Sequence, residues 1–137
     1  NNGRFWREST FDGILGIDQG GTAANTIGEA RKNLTETRTV LVDDDVIAVD
    51  CSEASKFEVT LEGTGREIEL TNDVDGQRIE ILIKQDDVGA RTITVWPTGI
   101  RWAGGVAPTL TEEHWDIVVL LRESAGVYLG FVAKNFY

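Results

Sequence analysis

The chain has 137 residues and a formal net charge of −10 at pH 7, the length of one domain with an ordinary core. That charge argues against a nucleic-acid interface, which needs clustered Lys and Arg, and against anionic membrane surfaces. The hydrophobic share of 41% and charged share of 26% suit a globular protein, and no apolar run approaches the ~20 residues of a membrane-spanning helix.

Residues 1–37 are rich in Gly, Asn and Thr and show no strand alternation, so they read as an extended or helical stem or anchor segment. The chain contains no methionine; Asn1 is therefore read as other than the natural start, with any targeting segment already removed. One helix is expected over Thr22–Leu34, where Ala23, Ile27, Ala30 and Leu34 recur at helical spacing behind Thr22 as N-cap. So short a helix with one thin apolar stripe needs a partner, either the following domain or a second copy of the chain.

From residue 38 the pattern changes to short β-type runs. They are "RTVLV", "VIAVD", "KFEVTLE", "REIELT", "QRIEILIK", "RTITVW", "DIVVLLRE" and "VYLGFVAK", divided by turn signals such as "DDD", "GTG", "DVDG" and "PTG". Alternation places Ile79, Ile81 and Ile83 on one face and Arg78, Glu80, Leu82 and Lys84 on the other; Phe57, Val59 and Leu61 form a second such row. The expected fold of residues 38–137 is all-β: an antiparallel, jelly-roll-like β-sandwich of about eight strands. "DIVVLLRE" does not alternate, which implies burial on both faces. A neighbouring subunit is the simplest second cover, and Phe136 and Tyr137 add an apolar load at the end of the sequence. Candidate oligomer contacts are Ile27, Leu34, Val118, Leu120, Phe136 and Tyr137.

Few residues carry chemistry. Cys51 is the single cysteine, so there is no internal disulfide, and it reads as a small core residue. The single histidine, His114, excludes His-rich metal sites and disfavours a Ser-His-Asp triad; it reads as a loop or strand-edge residue. Asp43–Asp45 read as a solvated turn, with a bound cation as the alternative that would relieve their repulsion. "TNDVDG" fails the EF-hand pattern, because Thr71 and Leu82 fall where ligands are required, and "GGTAAN" lacks the lysine of a phosphate loop. "NLT" at Asn33–Thr35 matches a glycosylation sequon by chance. Spacing selects no pair of carboxylates for glycoside hydrolysis. The expectation is a non-enzyme without cofactor or metal.

"VWPTGIRWAGG" (Val95–Gly105) sets Trp96 and Trp102 on either side of a turn. Trp102 is expected to be buried and Trp96 partly covered, with their N–H groups bonded; the alternative is an exposed aromatic patch that binds glycan or protein. Any receptor contact then falls to the loops around them: Trp96, Thr98, Arg101, His114 and Trp115.

"IDQGGTAANTIGEARKNL" (Ile17–Leu34) carries Gly20-Gly21-Thr22 and then Ala30-Arg31-x-Asn33-Leu34, and it resembles the Gly-Gly-Thr-Gly, helix, Ala-Arg-x-Asn-Leu segment of bacteriophage tail-fibre proteins, with Ala23 in place of the fourth-position glycine. "GQRIEILIKQDDVGARTITV", "IRWAGGVAPTLT", "DIVVLL" and "YLGFVAKNF" resemble a C-terminal domain of phage fibre and related virion proteins. The resemblance implies a homotrimeric virion appendage, a β-sandwich on a fibrous or helical stem, that contacts other virion proteins and a host-surface glycan or protein. It carries over no catalytic or receptor residues. The expected function is a trimeric tail-fibre or receptor-binding module on the particle surface. The alternative is a head fibre or capsid-decoration protein anchored through its N-terminal segment. A polysaccharide depolymerase, usually a repeat-built β-helix, is a weaker third reading, because the chain has no internal repeat.

Overall fold

The computed structural model describes residues 24 and 26–137. The chain divides into two units between Glu36 and Thr37. Helix α1 (Ile27–Leu34) belongs to the first. Thr26 caps it: its hydroxyl oxygen accepts the Glu29 N–H at 3.1 Å and donates back to the Glu29 carboxylate at 3.1 Å, a Thr-x-x-Glu exchange related to the capping box. Thr22 and Ala23 lie outside the described residues. Ile27 and Leu34 are 75% and 72% exposed.

The second unit carries nine strands among the described residues: β1 (Thr39–Val40), β2 (Val46–Asp50), β3 (Lys56–Leu61), β4 (Arg66–Thr71), β5 (Arg78–Gln85), β6 (Ile93–Val95), β7 (Ile100–Trp102), β8 (Trp115–Ser124) and β9 (Val127–Phe136). The short β7 is additional to the eight runs expected from the sequence. Successive strands from β1 to β7 alternate between two sheets. One is six-stranded, in the order β1-β3-β5-β8-β9-β7; the other is three-stranded, β2-β4-β6.

The all-β class therefore holds, but the pairing is not that of an antiparallel jelly roll. β1–β3, β3–β5, β2–β4, β4–β6 and β7–β9 all pair in parallel, and only β5–β8 and β8–β9 are antiparallel. The chain coils from one sheet to the other and back, so each turn of the coil lays its strands beside those of the turn before, in a solenoid-like arrangement. Inward-outward alternation is the same for parallel and antiparallel neighbours, which is why the local pattern could not separate them.

The two sheets share one core. Ile47 and Val49 of β2, Ile68 of β4 and Ile93 of β6 face Phe57, Val59 and Leu61 of β3, Ile79, Ile81 and Ile83 of β5, and Val118 and Leu120 of β8. Two candidate interface residues are thereby corrected: Val118 and Leu120 are fully buried in this core and unavailable to a partner. β8 reads as continuously apolar because it is central in the large sheet. Its alternate residues Val119 and Leu121 lie on the outer face, beside Phe131 and Leu129 of β9. Cys51 is buried at the core margin, where burial raises its thiol to about 11, so it is a packing residue rather than a reactive one.

Candidate functional site

The four-residue spacing from Trp96 to Ile100 closes a tight turn between β6 and β7, and that turn lies against the β8–β9 turn. The Tyr128 N–H donates to the Gly99 carbonyl at 3.1 Å. Gly99 adopts φ 82°, and a Cβ there would fall 1.9 Å from the Gly126 carbonyl oxygen, so only glycine permits this contact. Across from the turn, the register of β4 with β6 ends at Glu67↔Val95. β4 continues to Thr71 without a β6 partner, and the space beside it is a groove of about 280 Å³. Its walls include Glu67, Glu69 and Leu70 of β4, Trp96 and Thr98 of the turn, and Tyr128 of β9.

Tyr128 is fixed from behind. Its hydroxyl donates to Asp73 Oδ2 at 2.7 Å, and Arg122 forms an ion pair with the same carboxylate. Burial, then the Asp73 carboxylate, pushes the phenol up to about 12, so it is neutral at ordinary pH. Burial alone would raise Asp73, but the Tyr128 hydroxyl and Arg122 outweigh it and hold this acid below its usual range. Glu67 and Glu69 differ from these groups: neither side chain has a hydrogen-bond or ion-pair partner among the described residues.

Trp96 and Trp102 form an edge-to-face pair, with ring centroids 5.2 Å apart and planes at 76°. Both are half-buried against the core, so Trp102 is less enclosed than expected. Gly130 of β9 is its seat. A Cβ at Gly130 would lie 2.7 Å from both Ile100 and Trp102, in keeping with the Trp102↔Gly130 register. Among the candidate contact residues, Trp96 and Thr98 meet at the groove. Arg101 is exposed and lies beside Leu129 on the outward side of the large sheet. His114 and Trp115 belong elsewhere: His114 Nδ1 lies 2.6 Å from the Glu112 carbonyl oxygen, its ring packs edge-on to Tyr137, and Lys84 covers the Trp115 ring at 4.8 Å. The five therefore do not form one surface. Phe136 and Tyr137 are exposed.

The acidic turn at Asp43–Asp45 already holds a cation, the Arg66 guanidinium. Arg66 Nε and Nη2 donate to Asp43 at 2.9 and 3.0 Å, and Nη1 donates to Asp45 at 2.7 Å. Among the described residues no group of three or more His, Cys, Asp or Glu side chains is arranged to hold a metal ion.

Glu67, Glu69 and Tyr128 are the groove residues that sequence reasoning missed. Nothing in the sequence puts the Glu67–Glu69 face of "REIELT" next to the Pro-Thr-Gly turn. Comparison with protein-family models, with curated proteins and with solved structures finds no match.

Proposed function

We propose that this chain is a module of a bacteriophage virion appendage, a homotrimeric fibre component that attaches to the host surface. The ordered resemblance from Ile17 to Phe136 supports the virion assignment. The structural observation that carries the oligomeric part is the outer face of β8 and β9. There Leu121, Leu129 and Phe131, at 37%, 44% and 43% exposure, form an apolar strip in a strongly acidic chain. Such a strip supports reading this face as an association surface. Ile27 and Leu34 of α1 are exposed as well. Packing of three copies would cover both features, and repetition of a weak site on three copies would strengthen attachment through avidity. The groove beside Trp96 is the contact site of this reading.

Two measurements test the proposal. Solution mass is expected at three chains per particle, and a stable monomer would overturn the trimer. Labelled antibody against the domain is expected to decorate virion tails. Decoration of the capsid instead would establish the head-fibre alternative, and absence from particles would overturn the virion assignment.

A further inference from the structure

The groove has an electrostatic character that narrows what it takes. Glu67 and Glu69 stand on alternate residues of β4, on its outward face, and no Lys, Arg or His lines the cavity. Glu67 is partly buried and Glu69 exposed. Other enclosed carboxylates are held either by cations, as Asp43 is by Arg66, Asp73 by Arg122, Asp86 by Arg91, Glu58 by Lys84 and Glu80 by Arg38, or by hydrogen-bond donors, as Asp50 is by Ser52 and Asn72 and Asp116 by the Thr111 and Asn135 N–H groups. Glu67 and Glu69 have no such partner among the described residues. Their register neighbours on β2 are Val46 and Ala48, and Glu67 faces Val95 on β6, so apolar side chains flank them and leave the charge uncompensated. Trp96 lines the same groove while packing partly against the core, and its indole is suited both to stacking on a sugar ring and to cation–π contact with an ammonium group. The unpaired stretch of β4 at Leu70 adds backbone polar groups within reach of hydroxyls.

From this combination we infer that the groove binds a short amine-bearing saccharide, with its ammonium groups against Glu67 and Glu69 and a ring against Trp96, and that it rejects uronate-bearing chains. The inference deepens the proposed host attachment and rests on that reading for its biological setting. Ligand class follows from the charges. Anionic sugars would meet two unpaired carboxylates in a chain of net charge −10, whereas ammonium groups would relieve the repulsion between them.

The test is calorimetric titration of the full chain with three trisaccharides: glucosamine, N-acetylglucosamine and galacturonate. The glucosamine trisaccharide is expected to bind at least about tenfold more tightly than the other two, a difference that shrinks as salt is raised. The paired substitution E67Q/E69Q is expected to weaken it by about tenfold or more. The pair E112Q/E113Q, which makes the same change in net charge outside the groove, is expected to leave it unchanged. No binding of the glucosamine trisaccharide, equal binding of all three, or equal weakening in both paired variants would each overturn the inference. Binding of trilysine as tight as that of the glucosamine trisaccharide would overturn the saccharide assignment. If antibody decorates virions while the glucosamine trisaccharide fails to bind, this inference falls and the appendage reading stands; the converse result separates them the other way.

Discussion

At Gly99 a single methyl group would decide whether the groove exists. The added carbon would meet the Gly126 carbonyl oxygen at 1.9 Å, on a backbone already at φ 82°, and neither strand turn has a flexible side chain there to move aside. Gly99→Ala is expected to destabilise the fold by about 2 kcal/mol or more, measured by urea denaturation, and to separate the Trp96 turn from the Tyr128 turn. The Pro-Thr-Gly signal for a turn was legible in the sequence. Its close approach to the "ESAG" turn was not, because that contact joins residues distant in the chain and depends on sheet order. Trp102 shows the same division. Its structural part could be anticipated, but its seat over Gly130 depends on β7 and β9 being neighbours.

Strands carried the clearest sequence signal, since a period of two reports which side chains share a face. β2 and β4 match "VIAVD" and "REIELT" residue for residue, and the Ile79, Ile81 and Ile83 row points into the core. In β8 both faces are apolar, so a period of two does not distinguish the half that meets the core. The structure separates them: Leu120 is fully buried and Phe131 is 43% exposed on the opposite face. Leu120→Ala is expected to cost about 2–5 kcal/mol of folding stability, seen as a lower denaturation midpoint. Phe131→Ser is expected to spare the fold, with little change in the circular dichroism of the chain, while lowering the solution mass if β8 and β9 form the interface. A variant that unfolds with no intermediate loss of assembly would count against that face as the contact.

For the whole molecule, the arginine clips make stability depend on pH. Asp43, Asp73 and Asp86 are all held below the usual carboxylate value of 3.8. At Asp43, burial acts in the raising direction and is outweighed by Arg66 and by the Glu62 N–H. At Asp86, the Arg91 hydrogen bond leads. Near pH 4 the unfolded chain binds more protons at these sites than the folded one, so stability falls as pH drops. The contribution is complete above the unfolded value and disappears as pH passes below the folded ones. The melting temperature is expected to decline from about pH 5 downward, and Asp43→Asn is expected to flatten that decline while lowering stability at neutral pH. Thermal melts across this range check both. Composition revealed the acidity of the chain but not which carboxylates are clipped, since the Asp43 and Asp73 clips join residues 23 and 49 positions apart, and only the Asp86–Arg91 clip is local.

The place of the β8–β9 hairpin has a consequence for how the molecule is made. It lies between β5 and β7 in the large sheet, although β6 and β7 precede it in the chain. A growing polypeptide can therefore wind its coil only as far as β5 and β6. β7 emerges with nothing to pair against and must wait, with Trp102 uncovered, until β9 arrives to receive it. The fold thus closes from its far end, like a spiral fastened by a clasp inserted into its own last turn. A chain interrupted after Trp102 would expose the open strand edge of β5, the kind of edge along which unfinished molecules join one another.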